Sequence, residues 1–181
     1  MRHLNQDKRI LAVDLRSRSF GFAVFEGPRR LLDWGVKSFR QGVNAAKIPA
    51  SAKFAGLMDE FSPRTVVLRK RIVDNRKRAG MRKALLGQAE KRHIPVRLLT
   101  LQAVKSAFVG CNRNKYTIAT ALAKQLPELV PKLPGARKIW KSEDYRVSIF
   151  DAAALGVAYF TRGEPLEPKE SVPPPELSPH K

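Results

Sequence analysis

One cysteine, Cys111, stands in 181 residues. A disulfide framework is therefore excluded, and the chain fits a reducing compartment. No base lies near Cys111 in sequence, so an inert thiol is expected rather than a nucleophile. The three histidines, His3, His93 and His180, have no Cys or His partner at zinc-ligand spacing. Glycine-rich phosphate loops of the nucleotide-binding types are missing. Long apolar runs are missing as well. Near the N-terminus only Ile10 to Val13 is continuous, and Asp14 ends it. That is too short for a signal-peptide core or a membrane span. A soluble, cytoplasmic protein without a membrane partner is expected.

Acidic residues are scarce. Sixteen Asp and Glu face 35 Lys and Arg, a formal net charge of +19. Such an excess concentrates polyanions at the surface and speeds their capture. Nucleic acid, DNA or RNA, is the expected partner, because neutralised phosphates release counterions. This extends the cytoplasmic expectation to a nucleoid-associated one. The charge is not uniform. From Gly163 onward Pro165, Pro168, Pro173, Pro174, Pro175 and Pro179 sit among Glu and Ser. That tail holds four Glu and two Lys, a net of −2, which leaves +21 on the rest. Its composition predicts disorder over 163–181.

Hydrophobic residues make up 43% of the chain, enough for one real core. Residues 1–9 read as a flexible basic N-terminus, and 10–162 as one folded domain. Ile10 to Leu15, Ser19 to Phe25 and Leu31 to Phe39 read as three strands with short connections, an antiparallel meander. Ala50 to Phe61 has apolar residues at helical spacing, and Pro63 stops it. Thr65 to Leu68 is a fourth strand and Pro95 to Leu99 a fifth, with a basic helix between them from Asn75 to Arg92. Three further helices are predicted over Leu101 to Val109, Lys115 to Leu126 and Val147 to Thr161, with Asn112 or Asn114 capping the second. A meander followed by strand–helix–strand units implies an α/β fold: a mixed five-stranded sheet with helices on both faces.

Two acids stand where burial is expected. Asp14 closes an apolar strand, and Asp151 interrupts the apolar helix Ile149-Phe150-Asp151-Ala-Ala-Ala-Leu155. A buried carboxylate is costly unless compensated. Asp14 could simply bond its own turn backbone, and Asp151 could favour a helix N-terminus. Alternatively the two converge on a divalent cation such as Mg²⁺ or Mn²⁺. A two-metal phosphodiester site needs more carboxylates than two. Asp74, Glu143 and Asp144 are the candidates for a third, each in a polar stretch; Asp144 completes the predicted catalytic set with Asp14 and Asp151.

The order of these motifs resembles the RuvC family of Holliday-junction resolvases, within the ribonuclease-H-like superfamily. The strand ending at Asp14 with Phe20-Gly-Phe-Ala-Val24 is similar to that family's opening. Leu101-Gln-Ala-Val-Lys105-Ser-Ala-Phe-Val-Gly110 is similar to its helix before the basic loop, Lys115 falls where the family has a second lysine, and Phe150-Asp151-Ala-Ala-Ala-Leu155 resembles its last metal-binding helix. The resemblance spans about Ile10 to Phe160. It implies a ribonuclease-H-like fold, a Mg²⁺- or Mn²⁺-dependent endonuclease acting on branched DNA, metal ligands at Asp14 and Asp151, and a homodimer. The chain departs from the family at two ligand positions. Arg69 stands where the family has a Glu at the end of its fourth strand, and Ser148 where it has an acidic residue or His three before the last Asp. An Arg beside a metal site adds like charge and weakens cation binding. The family's stacking aromatic after the fourth strand is also missing, with Ile72 nearby.

The densest charge run is Arg69, Lys70, Arg71, Arg76, Lys77, Arg78, Arg82 and Lys83. Asp74 is its only acid, so pairing within the run cannot neutralise it. A phosphate-tracking surface is expected there, extended by Lys105, Arg113 and Lys115. Two functions follow: a metal-dependent structure-specific endonuclease, or a catalytically degenerate module that binds structured DNA or RNA without cutting it. An actin-like nucleotide-binding role is disfavoured by the short chain and the missing phosphate loops.

Overall fold

The computed structural model describes residues 9–38, 49–108, 110, 114–134 and 145–162. Five strands form one sheet: β1 (Arg9–Leu15), β2 (Ser19–Glu26), β3 (Leu31–Ser38), β4 (Thr65–Arg69) and β5 (Val96–Leu99), in the order β3-β2-β1-β4-β5. β1, β2 and β3 pair antiparallel, whereas β4 lies parallel to both β1 and β5. This is the mixed α/β sheet that the sequence predicts. β1 begins at Arg9, one residue before its apolar run, because the Arg9 guanidinium is tied to Glu26 at 2.6 Å and to the Phe61 carbonyl at 2.7 Å.

Alternation along the central strands sends side chains to two cores. On one face Leu11, Val13, Phe20, Phe22, Val24, Val66 and Leu68 meet α1 (Ala50–Phe61) and α2 (Arg76–Lys91). Phe54 of α1 reaches Phe20 with ring centroids 4.4 Å apart. On the other face Ile10, Ala12, Ala23, Phe25 and Val67 meet α3 (Leu101–Ser106), α4 (Lys115–Gln125) and α5 (Val147–Thr161). Helices thus cover both faces. α5 is buried along nearly its whole length. The ring of Phe25 lies against Gly156, where a β-carbon would collide with it.

Helix ends follow local chemistry. Asn75, Thr100 and Asn114 accept hydrogen bonds from the backbone N–H groups of Arg78, Ala103 and Thr117, capping α2, α3 and α4. α3 stops at Ser106, short of the predicted Val109. A 3₁₀ turn over Pro127–Lys132, which the sequence pattern does not predict, follows α4 and buries Leu129. No helix among the described residues is long and apolar enough to cross a membrane. Of the predicted N-terminal arm 1–9 only Arg9 is described, and it opens β1 instead of belonging to a flexible arm; residues 1–8 and the predicted tail 163–181 lie outside the described residues.

Candidate functional site

β1 and β4 run parallel, so their C-terminal ends open at the same edge of the sheet, the usual location of sites in open α/β folds. Asp14 lies at that end of β1 and Arg69 at that end of β4. Asp151 reaches the same place from the second turn of α5. The Asp14 side chain is 0% exposed and that of Asp151 12%. The two carboxylates that the sequence singles out therefore do converge, and neither is spent on its own turn or helix terminus.

What joins them is a guanidinium. Arg16 donates from Nε to Asp14 Oδ2 at 2.5 Å and from Nη2 to Asp151 Oδ2 at 2.5 Å. Three more cations stand around the pair. Arg71 Nη2 is 3.4 Å from Asp14 Oδ1, Arg69 Nη2 is 3.5 Å from Asp151 Oδ1, and Lys115 Nζ is 3.5 Å from Asp151 Oδ2. Every oxygen of both carboxylates thus faces at least one cation. Among the described residues two negative groups face four positive ones here, a surplus of positive charge.

The electrostatics follow from burial. Burial pushes the Asp151 carboxyl above the ordinary carboxylate range, and the neighbouring Asp14 charge adds to that; Lys115, Arg69 and Arg16 pull it back down. Burial lowers Arg71, and Asp14 opposes that shift, while Arg69, Arg78 and Arg16 reinforce it. The guanidinium stays protonated at neutral pH regardless. The Nε of Arg69 is buried without a hydrogen-bond partner, so this side chain is held beside the pair at a desolvation cost.

The donor set does not fit a divalent cation. Mg²⁺ needs oxygen ligands with room for its waters, and here guanidinium groups hold the carboxylate oxygens. Among the described residues no third ligand joins them. The Ser148 hydroxyl donates to the Tyr145 carbonyl at 2.8 Å rather than facing the pair. Asp74, a candidate ligand from sequence, is committed elsewhere: Arg82 Nε lies 2.8 Å and Arg78 Nη1 3.4 Å from its oxygens. Among the described residues no three Asp, Glu, His or Cys side chains gather into a metal-binding group. Glu143 and Asp144 lie outside the described residues, as do Arg113 and Cys111.

The predicted basic residues divide into groups. Arg69, Arg71 and Lys115 touch the carboxylate pair. Lys105 joins Arg69, Lys115 and Asp151 around a small crevice of about 40 Å³ floored by Val104, Ile118 and Phe150. Lys70, Arg76 and Lys77 are exposed on the same rim or on α2. Arg78 and Arg82 share Asp74, the one acid of the run. Asn75 also donates to Ser17 Oγ at 2.9 Å, fastening the start of α2 to the turn after β1. The residue that sequence reasoning missed is Arg16. Its signal was present: side chains two apart along an extended chain share a side, so Arg16 follows Asp14 onto the same side.

No family model matches the chain, and no curated protein matches it in sequence. Solved structures do match its fold. RuvC of Thermus thermophilus superposes with a TM-score of 0.60 at 19% identity, covering 84% of this chain and 93% of that one. The yeast mitochondrial Holliday-junction resolvase gives a TM-score of 0.53 at 14% identity, covering 88% and 82%. The fowlpox virus resolvase, solved with Holliday-junction DNA, gives 0.52 at 14% identity, covering 83% and 97%. The chain therefore has the ribonuclease-H-like fold of the Holliday-junction resolvases, with arginines and a lysine gathered around the two aspartates at the end of its sheet.

Proposed function

We propose that this chain binds branched DNA by its phosphates at the Asp14–Asp151 edge and holds it without metal-dependent cleavage. One observation carries the reading: four cationic side chains converge on two carboxylates whose oxygens they occupy. A centre of that sign attracts phosphate and repels Mg²⁺. The fold shared with resolvases, one of them solved on a Holliday junction, supports a branched duplex as the ligand. Lys70, Arg76 and Lys77 extend the positive surface along which the arms would run.

A second reading is a Mg²⁺- or Mn²⁺-dependent junction endonuclease. The meeting of Asp14 and Asp151 at one guanidinium favours it, because the same two oxygens could flank a cation if Arg16 withdrew.

The deciding experiment is a labelled four-way junction, with plain duplex and structured RNA beside it, incubated in EDTA, Mg²⁺ and Mn²⁺. The proposal expects equal mobility shifts in EDTA and Mg²⁺, preference for the junction, and no cuts. Metal-dependent cuts that vanish in Asp14→Asn would establish the endonuclease instead. Equal affinity for duplex and junction would remove the branched ligand.

A further inference from the structure

The position of Arg16 carries a consequence for the metal chemistry of this fold. Its planar guanidinium spans two carboxylates from different elements, one at a strand end and one on a helix, each through a separate nitrogen. Arginine suits such bridging because its donors form a rigid fork and its charge does not titrate away. The bridge is partly sheltered: the Arg16 side chain is 26% exposed and Asp14 is completely buried. A cation shared through Asp14 Oδ2 and Asp151 Oδ2 would meet the guanidinium that already contacts both oxygens.

We infer that Arg16 is a built-in counter-cation that replaces a divalent metal between Asp14 and Asp151, so that the pair binds no metal ion and the centre remains open to phosphate alone. Arg69 and Arg71 reinforce the exclusion through Asp151 Oδ1 and Asp14 Oδ1. Displacing Arg16 by Mg²⁺ would leave a partly buried guanidinium without its carboxylates and would set the metal beside Arg69, Arg71 and Lys115. Both effects oppose exchange. The inference deepens the binding reading by specifying which charge the centre accepts, and it concerns the DNA-free protein.

The test is a Mn²⁺ titration of the full chain without DNA, read by the paramagnetic resonance signal of free Mn²⁺ and by calorimetry. The wild type is expected to take up no more Mn²⁺ than Asp14→Asn. The double variant Arg16→Ala, Arg69→Glu removes the bridge and adds a carboxylate at the end of β4. It is expected to gain one Mn²⁺ per chain, at least tenfold tighter than any wild-type uptake, and to lose it when Asp14→Asn is added. One Mn²⁺ per wild-type chain, abolished by Asp14→Asn, would overturn the inference. So would a double variant that is folded by circular dichroism and gains no Mn²⁺. Should that variant fail to fold, the wild-type comparison decides alone. Because no DNA is present, a wild type that refuses Mn²⁺ yet binds no junction would sink the binding reading and leave this inference intact.

Discussion

Gly21 of β2 lies so close to Ser148 of α5 that a β-carbon on it would overlap the Ser148 carbonyl group. Gly21 is also the register partner of Asp14. The bare backbone at this position lets the first turn of α5 rest directly on the sheet beside Asp14, and Asp151 follows three residues later. Gly21→Ala is therefore expected to lift the start of α5. It should cost about 1–3 kcal/mol, the usual penalty of overpacking, and should also weaken junction binding by separating Asp151 from Arg16. Urea midpoints and mobility shifts on the same preparation check this. An unchanged midpoint would mean that α5 does not depend on the close approach.

The Asp14–Arg16–Asp151 bridge makes a second expectation about stability. Asp14→Asn keeps the shape but removes the charge that Arg16 and Arg71 face. Breaking a buried ion pair from one side costs roughly 3–5 kcal/mol. Here the loss should be smaller, about 1–3 kcal/mol, because Arg16 and Arg71 are partly solvated and Asp151 loses a repelling neighbour. Denaturant unfolding of wild type and Asp14→Asn measures it. A variant as stable as wild type would show that the bridge contributes nothing to the fold.

Most of the architecture was legible in the sequence because each element announces itself locally. Strand alternation, an Asn cap at position 112 or 114 and the apolar run of α5 are neighbour-level patterns, and the elements they predict form close to the predicted positions, with Asn114 the residue that caps α4. Asp14 and Asp151 stood out because each is an acid in an apolar context. The roles of their partners were less legible. Arg69 was visible as a departure, but only the parallel pairing of β1 with β4 places it beside Asp151. Arg16 was hidden by its ordinary appearance in a chain rich in arginine. Asp74 looked like a spare ligand: its i,i+4 spacing to Arg78 was a local signal of pairing, whereas Arg82, eight residues on, meets it only once α2 has formed. The 3₁₀ turn over Pro127–Lys132 was not predicted; it carries Pro131 inside, and i to i+3 bonding tolerates that in a short piece.

Phosphate binding at the site predicts a specific salt response. Lys115 is 51% exposed on its side chain and Arg71 26%, so both can exchange a carboxylate partner for a phosphate one. Removing one cation that touches a phosphate should reduce the slope of log affinity against log salt by about one. Lys115→Ala and Arg71→Ala are each expected to weaken junction binding severalfold at low salt and to flatten the slope by that amount. Arg92→Ala is the control, since Arg92 is occupied by Asp59 at 2.7 and 2.9 Å on α1. A slope unchanged in both site variants would place the phosphate-binding cations elsewhere on the surface.

Acid should act on the opposite end of β1. Glu26 accepts from Arg9 at 2.6 Å and faces Arg30 at 2.7 Å. The hydrogen bond from Arg9 holds its carboxyl below the ordinary carboxylate value, against some desolvation, with the charges of Arg30 and Arg9 helping. A depressed value in the folded state means that the folded protein binds the proton less readily than the unfolded chain. The stability it brings is therefore complete above the unfolded value, about 4.3, and is lost as pH falls through the lower folded value. Asp59, depressed chiefly by its hydrogen bond with Arg92, acts in the same direction. Asp151 acts oppositely: burial raises it, so protonation favours the fold and its contribution is lost as pH rises. Urea midpoints measured from pH 6 down to about pH 3 should accordingly fall less steeply in Glu26→Gln than in wild type, and more steeply in Asp151→Asn. If the Glu26→Gln profile instead parallels wild type across that window, the Arg9–Glu26 pair does not carry the acid sensitivity of the β1–β2 hairpin.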